Sequence, residues 1–297
     1  MLSYGQAVIL GFLQGVTELF PISSLGHIVL LPALLGWHNL VGAESAQESF
    51  YLAFVVALHV GTALGLLLFF WRDWVRIIRG FARTLVTRKI ETPDERLAWL
   101  LGIATIPAGI TALALEHVLR TQFAKPLAAS IFLAINGVIL LGGELVRRQK
   151  AAAVPARLAT GVPAPVATGS RRLDTLEFKE AVVIGIAQTA ALLAGISRSG
   201  ITMVAGLVRG LNHEDAARFS FLLATPLIFA AGVYKIPDLL GPLGNGVRSQ
   251  ALVSALCALV AAYVSTRFLI KFFQTRSLLP FGIYSLVVGG LCILRFA

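Results

Sequence analysis

The chain has 297 residues, 57% of them hydrophobic and 13% charged, with a mean hydropathy of +0.82, a balance that excludes an ordinary water-soluble fold. The formal net charge of +10 does not point to nucleic acid, because the Lys and Arg residues fall in short connectors between apolar runs, the pattern of membrane topology. Cys257 and Cys292 lie inside apolar runs, where a thiol is a small packed hydrophobe, so neither a disulfide nor a metal cluster is inferred from them.

The first apolar segment, 5–36, has no basic n-region and carries Gln14 and Glu18, so it reads as part of the mature chain rather than a cleavable signal. It is interrupted by Pro21, Ser23, Ser24 and Gly26. An α-helix needs about 20 apolar residues to cross about 30 Å of hydrocarbon. Runs 50–71, 97–118, 126–146, 219–236, 250–270 and 279–296 meet that requirement, with Glu116 and Lys235 near the ends of theirs. A second interrupted segment occupies 180–210. The expected fold is therefore all-α and polytopic, with six transmembrane helices and two re-entrant helical hairpins. Connectors 72–96, 147–179 and 271–278, the segment around Arg209 and Arg218, and Arg267 together carry 19 of the 25 Lys and Arg residues. That basic side should face the cytoplasm of a bacterial inner membrane, with the opposite side facing outward. His38, Glu44 and Glu48 fall in a connector on the outer side, where a solvated surface is the default.

The two interrupted segments resemble each other. Gly11, Gln14, Ser23 and Gly185, Gln188, Ser197 match at a constant offset of 174. The chain reads as one membrane domain over 1–297: repeat one 1–147, an Ala-, Pro-, Gly- and Thr-rich linker 148–177, and repeat two 178–297. A broken hairpin followed by three crossings inverts the second half relative to the first, an inverted repeat in which the two breaks meet at depth. Non-helical backbone survives there only when buried in protein or lining a wet cavity.

Ionisable residues in such hairpins are functional candidates, and Glu18, His27 and Arg198 qualify. Gln14 and Glu18 share a helical face, as do Ser23 and His27 beyond Pro21. In the second hairpin, Gly195, Ser197, Arg198, Ser199, Gly200 and Thr202 describe a Gly-containing turn opening a helix, where backbone amides, the helix dipole and a guanidinium fork suit phosphate oxygens. Bland readings stand beside these. Glu18 and Arg198 could be a structural ion pair, His27 a core histidine on a carbonyl, and Ser23, Ser24 and Thr202 helix caps or interhelical glue. His59, inside a run, reads as structural.

At these residues the sequence resembles the undecaprenyl pyrophosphate phosphatase family, also known for bacitracin resistance, over nearly the whole chain. The likeness runs through Gln14, Glu18, Pro21, Ser23, Ser24 and His27, through Leu58–Thr62, through Ala194–Thr202, and through Phe219–Ala224. It implies a membrane phosphatase acting on a polyprenyl diphosphate among membrane lipids. It also carries functional roles over to Glu18, Ser24 and His27 and to Ser197, Arg198 and Thr202, and it leaves room for a homodimer. Family members commonly have Glu where this chain has Gln14 and Pro where it has Ala194. The first departure removes half of a carboxylate pair often linked to a divalent cation. Glu18 and the substrate phosphates remain as ligands for Mg²⁺ or Ca²⁺.

The expected division of labour has Arg198 and the amides of 197–200 binding the diphosphate, with Gln14 and Ser23 assisting. Ser24, His27 or a water activated by Glu18 would attack. The competing class is a transporter or flippase of the same carrier, since broken helices at the midplane are also a transporter plan.

Overall fold

The computed structural model describes residues 2–37, 40, 50–123, 125–159 and 171–297. Eleven α-helices are found among them. α1 (Tyr4–Thr17) and α2 (Ser24–Leu34) form the first interrupted segment. They are followed by α3 (Phe50–Phe69), α4 (Trp71–Thr87), α5 (Pro93–Phe123) and α6 (Pro126–Ala159). α7 (Phe178–Gln188) and α8 (Arg198–Val208) make the second interrupted segment. α9 (His213–Leu240), α10 (Arg248–Phe273) and α11 (Leu279–Phe296) complete the chain. Short 3₁₀ turns sit at Leu173–Thr175, Thr189–Leu192 and Pro242–Gly244. The single β-bridge among the described residues joins Arg171 to Leu211.

Among the described residues, five stretches are long and apolar enough to cross a membrane: Pro93–Leu115, Pro126–Ala151, His213–Gly232, Arg248–Phe273 and Leu279–Phe296. The run expected at 50–71 is α3, which meets α4 at an angle of 86° across Phe70 and gives a sixth span when the bent pair is counted as one. The chain is an all-α polytopic membrane protein. At 1.5 Å per residue, α2, α7 and α8 each cover less than 20 Å or so, short of the hydrocarbon thickness. The same hydropathy that produces the spans explains why they leave Ile110, Leu113, Leu252, Val264 and Leu294 exposed on their outer faces, since lipid is their solvent.

Two regions differ from expectation. The basic connector 72–96 is largely helical, and α6 continues to Ala159, so the start of the expected linker is helix. Residues 160–170 of that linker, and His38, Glu44 and Glu48, lie outside the described residues.

α9 is the central element: 61% of its most apolar window is buried, against 28–44% for the other four spans. Phe219, Phe221, Leu222 and Leu223 supply its core contacts. α1 packs on α10, α7 on α5, α3 on both α9 and α10, and α6 on α11. Close approach relies on small residues. A Cβ on Gly61 would lie 2.2 Å from the Ala255 carbonyl oxygen of α10, and one on Gly289 would lie 2.5 Å from the Ala134 amide nitrogen of α6. These contacts bring the breaks before α2 and α8 together, where the site forms.

Candidate active site

Each interrupted segment breaks just before a serine that starts the next helix. Ser23 caps α2, its Oγ accepting from the Gly26 amide at 3.2 Å, and Ser197 caps α8 in the same way, from the Gly200 amide at 3.1 Å. An N-cap serine satisfies an otherwise orphaned helix donor and is worth about 1 kcal/mol. The two caps are joined. Ser23 Oγ also accepts from the Gly195 amide at 3.1 Å, and Asn136 of α6 accepts from the Ser197 amide at 2.9 Å while donating to the Pro21 carbonyl at 3.0 Å. Asn136 also donates to Ser285 Oγ of α11 at 3.2 Å.

The linkage is tight enough to hold strained backbone. Ser23 has φ 71°, a left-handed value that non-glycine residues rarely adopt. Gly195 has φ 113°, and a Cβ there would lie 2.4 Å from the Ala129 carbonyl oxygen, so only glycine fits.

Glu18, at the end of α1, gathers the polar groups. Its Oε1 accepts from Arg198 Nη2 at 3.1 Å and Nε at 3.3 Å. Its Oε2 accepts from Gln14 Nε2 at 3.1 Å and from the Ser24 hydroxyl in a shorter bond. His59 Nε2 stands 3.5 Å from the same oxygen. Arg198 donates its third nitrogen to the Ser220 carbonyl at 3.3 Å. Glu18 is 7% exposed and the Arg198 side chain 10%, so the pair sits in a low-dielectric setting where both charges need each other.

Glu18, Ser24, His59 and Arg198 line one wall of a cavity of about 570 Å³, within the common range for ligand pockets of about 300–1,000 Å³. Ser24, Leu25, Ser197 and Arg198 all reach it, so the positive ends of two helix dipoles point into one space. The remaining wall is largely apolar, with Val55 and Val56 of α3, Leu113 of α5 and Ile228 of α9, interrupted by Gln188 and Tyr234. A doubly charged head group and a hydrocarbon tail would find their own surfaces here.

The structure brings together Gln14, Glu18, Ser23, Ser24, Gly195, Ser197 and Arg198. The expected amide cradle is narrower than the motif suggested. The Ser197 and Gly200 amides are occupied by Asn136 and by the Ser197 hydroxyl, so of the expected cradle only the first-turn amides of Arg198 and Ser199 remain. Ser199 Oγ bonds to Ser197 Oγ at 3.0 Å, and Thr202 Oγ1 pairs with Ser220 Oγ at 2.6 Å. These two side chains brace α8 against its own cap and against α9.

His27 stands apart. Its Nδ1 donates to the Ser23 carbonyl at 2.7 Å and its Nε2 accepts from the Tyr284 hydroxyl at 2.9 Å, a tautomer assigned from these partners. It does not line the cavity, and the Tyr284 ring stacks on it at 5.8 Å.

His59, read as structural from the sequence, meets the Val55 carbonyl through Nδ1 at 2.8 Å and also stands beside Glu18. An ionisable group inside an apolar run was the available signal, yet only packing shows that it faces Glu18. Asn136 and Ser220 are further polar residues within spans whose partners no periodicity reveals.

Similarity to known proteins bears on this geometry. A family described as bacitracin resistance protein BacA matches residues 7–291. Undecaprenyl-diphosphatase 2 of Frankia alni is 54% identical over 338 aligned positions, covering 100% of this chain and 98% of that protein. Undecaprenyl-diphosphatase of Mycolicibacterium paratuberculosis is 57% identical, covering 97% and 96%. Undecaprenyl-diphosphatase 2 of Chromobacterium violaceum is 43% identical, covering 96% and 95%.

Proposed function

The chain belongs to the bacitracin resistance protein BacA family, and from that premise we propose that it hydrolyses undecaprenyl diphosphate to undecaprenyl phosphate and inorganic phosphate. This activity recycles the lipid carrier for cell-wall synthesis and underlies bacitracin resistance. The observation that carries the reading is the bond from the Ser24 hydroxyl to Glu18 Oε2, with Arg198 held on the other oxygen of the same carboxylate. A nucleophile, its base and a guanidinium thus share one cavity wall, which transport alone would not require.

In the first step Ser24 Oγ attacks the terminal phosphorus as its proton passes to Glu18. The P–O bond to the lipid phosphate breaks, undecaprenyl phosphate leaves, and Ser24 carries the phosphoryl group. Arg198 and the dipoles of α2 and α8 hold the charge that develops on the transferring oxygens. Glu18 passes the Ser24 proton to the departing lipid phosphate. In the second step water attacks the phosphoserine, Glu18 takes the water's proton and returns it to Ser24 Oγ as the Oγ–P bond breaks, and inorganic phosphate departs. Positioning of Ser24 falls to its strained neighbour Ser23, whose carbonyl is fixed by His27, itself braced by Tyr284.

The residues present do not fit a protein-held divalent cation. Among the described residues no group of three His, Cys, Asp or Glu side chains converges. Both Glu18 oxygens are engaged by donors, and Gln14 contributes a donor where a second carboxylate would stand. Any Mg²⁺ or Ca²⁺ would accompany the substrate phosphates, and no step is routed through it.

The cavity residues on α3, α5 and α9 lie in the halves of those helices remote from the basic end. That placement supports a site opening to the outer face of a bacterial inner membrane, the basic end being cytoplasmic. The test is phosphate release by purified protein in detergent, followed by acid quench and mapping of the phosphoryl adduct. Phosphoserine at Ser24 is expected. Lipid binding without phosphate release would refute the phosphatase reading, and an adduct on His27 or none at all would refute the assigned nucleophile.

A further inference from the structure

α4 carries three distinct faces. At 3.6 residues per turn, Gly80, Ile77 and Thr84 form the face packed on α5. Ile77 and Thr84 are buried, a Cβ on Gly80 would lie 3.1 Å from the Glu95 amide nitrogen, and Trp99 Nε1 donates to Thr84 Oγ1 at 3.0 Å. A second stripe is apolar and uncovered, with Trp71 54%, Ile78 59%, Leu85 59% and Val86 85% exposed. Between them runs a basic stripe of Arg72, Arg76, Arg79 and Arg83.

Part of that charge is compensated internally. Arg76 bonds to Asp73 and stands 3.5 Å from Asp94, while Arg83 pairs with Glu91 at 3.0 Å. Arg72 lies over the Trp71 ring at 5.3 Å. Among the described residues, Arg72, Arg79, Arg88 and Lys89 make no ion pair.

The 86° bend from α3 turns α4 across the bundle's long direction at the basic end. An apolar stripe beside a basic one, on a helix lying in that plane, matches the acyl–head-group boundary of a bilayer. We propose that α4 is an in-plane anchor whose uncompensated cations bind the head groups of anionic phospholipids in the leaflet at the basic end. Charge complementarity selects this occupant over a zwitterionic lipid, because each juxtamembrane cation favours an anionic surface. The proposal is independent of the chemistry at Ser24.

The experiment uses full-length protein in phosphatidylcholine nanodiscs doped with either dibrominated phosphatidylglycerol or dibrominated phosphatidylcholine. Tryptophan quenching is read with Trp71→Phe as reference, so that the Trp71 contribution is isolated. Brominated phosphatidylglycerol should quench Trp71 at least about twofold more strongly, because the cations enrich it locally. High salt should erase the difference, as should the combined variant Arg79→Gln, Arg88→Gln, Lys89→Gln, whose fold is checked by phosphate release in detergent. Equal quenching by both lipids in the wild type, no quenching by either, or a preference that survives high salt would overturn the proposal. The salt titration on unmodified protein decides the matter even if the triple variant does not fold.

Discussion

Glu18→Gln separates the base from the scaffold. The glutamine keeps the shape of the side chain and an oxygen that can still accept from Arg198 but removes the counter-charge, so the replacement costs about 3 kcal/mol of stability. Truncation to alanine would cost about 3–5 kcal/mol by leaving a buried guanidinium unpaired. Loss of a general base slows a reaction by about 10²–10⁴, and loss of the Ser24 hydroxyl in Ser24→Ala should fall in the same range. If the two groups acted independently, two losses of about 10³ would multiply to about 10⁶. Because Glu18 acts through the Ser24 hydroxyl it accepts from, the double variant should instead stay near about 10³, a coupling of about 4 kcal/mol. The assay is phosphate release from the polyprenyl diphosphate in micelles, with each variant's melting temperature recorded alongside. Multiplicative losses in the double variant, or a Glu18→Gln enzyme within tenfold of wild type, would refute the assigned pairing.

Asn136→Leu removes the bonds to the Ser197 amide and the Pro21 carbonyl; kcat should fall about tenfold or more with KM nearly unchanged, as expected when positioning rather than binding is lost, and a lowered melting temperature with intact kcat would show a merely structural role. Gly195→Ala forces a Cβ against the Ala129 carbonyl at a positive φ and should cost more than about 2 kcal/mol in thermal unfolding; an unchanged melting temperature would contradict the close packing of α8 on α6. At the basic end, burial raises the Glu180 carboxyl, but its bonds to Arg171 at 2.9 and 3.0 Å and to the Glu177 amide outweigh that effect and hold it below its ordinary value of 4.5. The unfolded chain therefore takes up this proton at higher pH than the folded one, so the contribution of Glu180 is present above about pH 4.5 and is lost as pH falls through the lowered value. Melting curves from pH 6 downward should show a smaller acid loss for Glu180→Gln than for wild type, and parallel curves would remove Glu180 from the account.

Much of the architecture was legible in the residue order because a membrane leaves the backbone few choices. A long apolar run must be a closed helix, and the runs from 97 onward became α5, α6, α9, α10 and α11. Ser23 was legible as a cap, since a serine before an apolar helical run has a local partner three residues ahead. Glu18 and Arg198 stood out because a lone charge at that depth is costly. Their direct contact, across 180 residues of sequence, comes from the way the helices around them bring the two breaks together.

What the sequence determined by itself is therefore local: the spans, the breaks, the caps, the basic asymmetry and the kinds of polar group placed at depth. Tertiary structure alone decided which of those groups meet. It turned Ser24 and His59 toward Glu18 and His27 toward Tyr284, assigned the Ser197 amide to Asn136 instead of leaving it for an anion, and folded most of the basic connector into a helix at 86° to α3. The physical reason is that a cap or a span is fixed by neighbours within a turn or two, whereas the direction of a buried side chain depends on every helix packed around it.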